Sequence, residues 1–387
     1  MKLPTLSPNI DLEQTRKQAK DLLRAFKSGD SAVLDRIRWN HPRFRGLTDQ
    51  QIREGRFILA DAQLVIAKLH YFPSWPKLLA HIETLRKQDP EVLRFERAAD
   101  AIIGGDVDTL RDLLDRQKDL VHQRSTRGHR STLMHYVAAN GVEDYRQITP
   151  HNILNVARVL LDAGADVNAE SEAYGGGSMV LALTATSAHP RRAGVQIPLI
   201  DLLLEHGAIV NASIGRDALA NGCPEAARAL VDRGASVETV IVAAGTEKLD
   251  LVKKLATHAS KDQIHQALIM AAAYGTLAIV EYLLDRGADV TASDGMTALH
   301  NACGRADLEI IQLLISRGAP LEKENMFGGT VLDSTLWFAY NTDPRDMSNR
   351  DYAAVLDLLI AAGARTDVYP EMQEYIDEVY RRGRRGK

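Results

Sequence analysis

SDGMTALHNACGRADLEIIQLLISRGAPLEKE, residues 293–324, decides how the rest of the chain is read. Thr297, Leu299 and His300 form a T-x-L-H phrase at the start of a short apolar helix, which Gly304 is expected to break. Over 307–317, Leu308, Ile311, Leu314 and Ile315 recur at helical spacing. Gly318 then stops the second helix, as a residue free to adopt a left-handed backbone. Such a helical hairpin is too thin to bury its own apolar face and needs neighbours of the same kind.

The neighbours are present. A Gly-Ala pair closes a second helix at Gly164-Ala165, Gly207-Ala208, Gly234-Ala235, Gly287-Ala288, Gly318-Ala319 and Gly363-Ala364. Thr257-His258-Ala259 is a degenerate copy, and Gln117-Lys118 holds the equivalent place in a first pair that begins near Val92. Phrase and period resemble the ankyrin repeat, whose regular length is about 33 residues. About eight repeats are expected, the first and last atypical as end caps must be. Spacings range from 27 residues (Gly207 to Gly234) to 45 (Gly318 to Gly363). Three units are long because extra residues separate their two helices: 142–151 (VEDYRQITPH), 188–196 (AHPRRAGVQ) and 341–351 (NTDPRDMSNRD). Units between Ile209 and about Asp262 are short. Insertions on one side of a repeat array commonly build its working surface.

Residues 10–88 read as a separate helical region. Asn9 or Asp11 is placed to cap a helix through Phe26, ended by Gly29-Asp30, and a shorter helix spans 31–38. A longer helix starts at Thr48 with Gln51 as its capping-box partner. Ile58, Leu59, Ala62, Leu64, Val65, Ile66 and Leu69 form its broad apolar face. Tyr71-Phe72-Pro73-Ser74-Trp75-Pro76 then turns the chain, with Trp75 as a packed anchor rather than a ligand residue. The phrase LADAQLVIAKLHYFPSWPKLLAHIE (59–83) resembles the helical leader of a group of bacterial ankyrin-repeat proteins. STLMHYVAANGVEDYRQ, LLDAGADVNA, AYGGGSMVLALTATSAHPRRAGVQ and LIDLLLEHGA resemble the same group, so the resemblance covers most of 10–240. Beyond Thr239 it is to ankyrin repeats in general. It implies an ankyrin array behind the leader and implies no activity.

The expected fold is therefore all-α: a helical N-terminal domain over 1–90, an ankyrin-repeat solenoid over 91–368, and a helix with a basic tail over 369–387. Formal net charge is −4 and aromatics make up 5% of the 387 residues. That balance argues against a whole-protein grip on nucleic acid. Cys223 and Cys303 are the two cysteines, too few for a disulfide framework or a cysteine zinc site. MKLPTLSPNIDLEQTRKQ lacks the apolar core of a signal peptide, and no run reaches membrane-spanning length. A cytoplasmic protein without membrane or nucleic-acid partners is expected, and no metal or cofactor signature is found.

Candidate sites fall into three groups. Thr132 with His135, and Thr297 with His300, read as structural pairs that satisfy buried polar groups between repeats. Tyr174-Gly175-Gly176-Gly177-Ser178 reads as a tight finger turn whose glycines also allow close backbone approach to an anion. It shares a repeat with His189-Pro190-Arg191-Arg192, whose arginines suit a carboxylate or phosphate or are simply solvated. On the first helices, Asn140, Thr186, Asn221, Tyr274, Asn301, Trp337 and Tyr340 are the residue types that suit recognition. The basic tail 381–387 reads as solvated. No nucleophile stands with a base and an orienting carboxylate, although His189 and Asp201 are within one repeat.

The leading expectation is a module that binds a partner protein or peptide through its concave face and insertions, an inference from architecture. Its rival is a pocket for a small anionic ligand, built by Tyr174, His189, Arg191 and Arg192 with His189 as a proton carrier. A scaffold that docks through its leader is the third reading.

Overall fold

The computed structural model describes residues 12–86, 90–342, 350–368 and 371–385. Asn9, Asp11, most of the third insertion (343–349) and the side chains of 383–387 lie outside the described residues. The fold is all-α, with one short hairpin in which Glu170–Ser171 pairs antiparallel with Ser178–Met179. Among the described residues no helix is long and apolar enough to cross a membrane.

One local device repeats along the chain. Gly164, Gly207, Gly234, Gly287, Gly318 and Gly363 all adopt positive φ, between 83° and 97°. In each case the N–H of the following alanine donates to a carbonyl five residues back, for example Ala319 to Leu314 at 3.0 Å and Ala165 to Leu160 at 2.9 Å. This is the Schellman closure of a helix, which satisfies carbonyls that the last turn would otherwise leave unpaired.

Two compact units result: Met1–Ile214 with Asn221–Ala226, and Gly215–Ala220 with Ala227–Lys387. In the first, helices Leu12–Lys27, Leu34–Asn40 and Leu59–Leu69 enclose a core that includes Leu22, Ile37, Phe44, Ile52, Val65, Phe72 and Leu78. Helix Trp75–Arg86 packs on Pro90–Gly104, the first helix of the first pair. Inner helices Pro90–Gly104, Leu133–Val137 and Val180–Ala185 follow in series, backed by outer helices Val107–Arg116, Ile153–Asp162 and Gln196–Glu205.

The second unit repeats the scheme. Val240–Gly245, Lys261–Tyr274, Ala298–Arg305 and Val331–Asn341 pack in order as inner helices. Outer helices Leu249–Leu255, Leu277–Asp285, Leu308–Ser316 and Tyr352–Ala361 back them, and Met372–Arg385 closes the end. A continuous core runs from Val240 to Val379. Leu314 is fully buried within it. Leu314→Asp is expected to cost about 3 kcal/mol, combining lost apolar burial with a stranded carboxylate. A urea midpoint unchanged from the parent chain would show that this layer is not where the structure puts it.

Two sequence expectations need correction. The helix expected to run on from Thr48 is two helices, Asp49–Glu54 and Leu59–Leu69. The Thr48/Gln51 capping box is formed, but the chain turns extended at Gly55 (ψ 143°), where a Cβ would lie 2.8 Å from the Phe44 ring. Asp61 accepts from the Ile58 N–H at 2.8 Å and starts the second helix. Gly304 does not break its helix either. The turn comes at Ala306, which adopts φ 57°. Gly304 is small because the Phe338 ring presses on it, so close that a Cβ on residue 304 would stand 2.8 Å from the ring.

Candidate functional site

The T-x-L-H pairs are built alike. The Thr132 N–H donates to His135 Nδ1 at 3.1 Å, which leaves the proton on Nε2 to donate to the Ser178 carbonyl at 3.2 Å. Thr297 and His300 do the same, with Nε2 3.4 Å from the Gly329 carbonyl. Each ring thus ties the head of one inner helix to the hairpin of the following repeat. Burial holds His135 down to about 4, so it stays neutral.

The first unit hides a charged cluster that no local pattern announces. Arg127, Glu143 and Arg146 are each 1% exposed. Arg127 Nη2 lies 2.9 Å from Glu96, and its Nε faces Glu143. Arg146 reaches Glu96 at 2.7 Å, Asp100 at 2.6 Å and Glu143 at 3.3 Å. Glu143 also accepts from Tyr136 and stands 3.7 Å from His129. Burial pushes the Glu143 carboxyl up, but Arg127, the nearby His129 ring and Arg146 outweigh it and hold the carboxyl well below the usual range. The first insertion, expected as working surface, therefore spends Glu143 and Arg146 on the interior.

Beside this cluster lies a cavity of about 610 Å³. Residues 68–84 form one wall, and residues 126–130 with 172–174 form the other. The walls are joined where the Gly128 N–H donates to the Tyr71 carbonyl, an approach so close that a Cβ on residue 128 would collide with that oxygen. Thr126 and His81 share a hydrogen bond of 2.8 Å across the same junction. Tyr71, Arg130 and Tyr174 line the cavity with φ of 62°, 50° and 53°, left-handed values that cost side-chain-bearing residues about 1 kcal/mol or more each.

The residues singled out in the sequence divide by place. Tyr174 is 73% exposed, lines the cavity and donates to Asn140 Oδ1 at 2.6 Å. Asn140 in turn donates to Leu183 O and Thr186 Oγ1, both at 3.2 Å, so its amide is committed to holding Tyr174 and the next helix. Gly175, Gly176 and Gly177 all take positive φ to make the hairpin turn. His189, Arg191 and Arg192 do not line the cavity. Their insertion folds into the helical turn Ala188–Arg192, pinned by the buried Gln196 amide, which donates to the Thr184, Ala185 and Ser187 carbonyls. His189 is half-buried, and burial with the nearby Arg192 lowers its pKa.

In the second unit, the three most exposed large apolar side chains among the described residues lie on one repeat. Met326 is 70% exposed, Phe327 83% and Trp337 60%. Asn325 holds the turn by accepting from the Phe327 and Gly329 N–H groups at 2.8 and 3.1 Å, and donates to Ser334 Oγ at 2.8 Å. Met326 N–H donates to the Gly295 carbonyl of the preceding hairpin at 2.8 Å. Tyr340, by contrast, is covered by Tyr375 (ring centroids 5.5 Å) and by the Arg382 guanidinium at 4.3 Å. Asn301 is half-buried and donates back to the Thr297 carbonyl at 3.3 Å. Sequence reasoning passed over Met326 and Phe327, although a Met-Phe pair before Gly-Gly in a turn is a readable exposed-apolar signal.

Residues 240–325 match the family model for ankyrin repeats (three copies). The chain is 31% identical over 142 residues, 33% of its length, to the ankyrin repeat and KH domain-containing protein mask-1 of Caenorhabditis elegans. It is 30% identical over 104 residues, 27% of its length, to the E3 ubiquitin-protein ligase hecd-1 of the same organism. It spans 5% and 4% of those two proteins. The human ASB11 ankyrin repeat domain, a solved structure, is 20% identical; the match covers 69% of this chain and 98% of that one, with a TM-score of 0.33. Ankyrin repeats are present in this chain.

Proposed function

We propose that the chain is a protein-binding module whose partner is gripped by the repeat carrying Met326, Phe327 and Trp337. The observation behind this reading is the exposure of those three side chains within twelve positions, Met326 and Phe327 on the turn fixed by Asn325 and Trp337 on the helix Val331–Asn341 that follows. Large aromatic side chains left in water and held rigid are what binding hot spots are made of. Little ordering entropy remains to be lost on association, because the turn is hydrogen-bonded beforehand. Tyr174 is the corresponding exposed aromatic of the first unit, with Asn140 positioning it; Asn301 and Tyr340 act as supports for their repeats. Arg192, exposed on the second insertion of the first unit, offers a charge that steers encounter more than it adds affinity.

Affinity capture from host lysate, run with the parent chain and with the Phe327→Ala/Trp337→Ala variant side by side, tests this. A specific partner should be retained at least about thirtyfold less by the variant, as loss of about 2 kcal/mol at a hot spot implies. Both positions are exposed, so the variant keeps its helical content. Equal retention by both chains would remove this surface from the account.

A further inference from the structure

We propose that the cavity between residues 68–84 and residues 126–130/172–174 binds a small multivalent oxyanion, a metabolite bearing phosphate or carboxylate groups. The repeats give no reason for such a cavity, and the residues around it have costs that folding alone does not explain. Lys68, Lys77 and Arg130 line it, and none of them forms an ion pair among the described residues; Arg130 donates to the Ser125 carbonyl at 3.2 Å, and Glu172 is a carboxylate on the same lining. Three exposed cations against one carboxylate leave the lining with a positive balance, which an anion would offset. At the deep side, Arg127 is 1% exposed yet keeps Nη1 without a hydrogen-bond partner. That buried charge already faces Glu96 and Glu143, so an occupant would meet it through its field and not through a hydrogen bond.

The backbone agrees with the side chains. Six non-glycine residues take left-handed φ among the described residues, and Tyr71, Arg130 and Tyr174, half of them, stand on this one cavity. Strain of this kind persists where surrounding structure over-determines it, and it gathers at ligand sites. The two tyrosines and Phe72 supply flat, apolar wall next to the cations, which suits an anion attached to a ring or carbon chain rather than a bare inorganic ion. The volume, about 610 Å³, is that of a small-molecule site. An occupant would bridge Lys68 and Lys77 on one wall to Arg130 on the other, and so stabilise the fold it binds.

Isothermal titration of the full chain with pyrophosphate and, separately, with citrate tests the proposal at constant ionic strength, with sulfate as the monoatomic-centre control. Saturable one-to-one binding of pyrophosphate or citrate is expected, and which of the two binds more tightly separates phosphate from carboxylate chemistry. Lys68→Glu/Lys77→Glu should weaken it at least tenfold. Lys253→Glu/Lys254→Glu, which changes net charge equally but lies off the cavity, should leave it unchanged. The proposal is overturned if neither probe binds saturably, if Lys68→Glu/Lys77→Glu binds as the parent does, or if the control pair weakens binding as much. These outcomes are independent of Phe327 and Trp337, so failure here leaves the partner-binding reading standing.

Discussion

Glu143→Ala is expected to destabilise the first compact unit by about 3–5 kcal/mol, the cost of removing one member of a buried charge cluster and stranding the rest. Glu143 faces Arg127 and Arg146, both 1% exposed, and neither can lose its charge. Glu96 then remains to balance two guanidiniums alone, with Asp100 at the cluster's outer edge. Hydrogen exchange of helices Pro90–Gly104 and Leu133–Val137 should accelerate by at least a hundredfold, since about 2.7 kcal/mol already corresponds to that factor. The double variant Arg127→Ala/Glu143→Ala should lose less than the sum of its single changes, because each removes the other's unpaired charge. Additive losses, or a Glu143→Ala effect below about 1 kcal/mol, would mean the cluster does not stabilise the first unit.

Acidification supplies the second large effect, and its onset is diagnostic. Burial, reinforced by nearby Arg127, lowers His70 and His81 to about 4, and burial lowers His135 to about 4. All three are 5% exposed or less. The unfolded chain takes up these protons near pH 6.5, whereas the folded chain resists until about pH 4. Between those values the unfolded state binds more protons, so stability falls as pH falls. By pH 5 each histidine contributes a loss of about 2 kcal/mol, several kcal/mol together. Glu143 and Glu96, held below the ordinary carboxylate value of 4.5 in the fold, extend the decline at lower pH. Urea midpoints at pH 7.5, 6, 5 and 4 should drop steadily from 6.5 downward. A flat profile to pH 5 would mean that these rings are hydrated or already charged in the folded protein.

How much of this was readable in advance depends on how local the signal is. The Gly-Ala closures and T-x-L-H phrases are short-range chemistry, in which a backbone conformation or a capping geometry selects its residues. They therefore place the helical pairs correctly. Gly55 and Gly304 show the limit: each is small because a ring from elsewhere, Phe44 or Phe338, needs the space, and that reason is invisible within its own helix. The charged cluster was harder still. Glu96, Arg127, Glu143 and Arg146 are spread over fifty positions, and each reads as solvated until the fold brings them into one interior. The cavity shares that difficulty. Tyr174 was recognisable from its glycine turn, but Lys68, Lys77 and Arg130 are ordinary surface cations until two walls meet. Arg191 and Arg192, the more conspicuous pair, stand on a separate turn.

The claim that function resides on the Phe327–Trp337 surface is tested most directly by site-specific photocrosslinking. A benzophenone side chain at position 327 should capture a discrete partner in host cells, whereas the same group at Lys253, exposed on the outer helix Leu249–Leu255, should capture none. Equal capture at both positions, or capture at 253 alone, would contradict it.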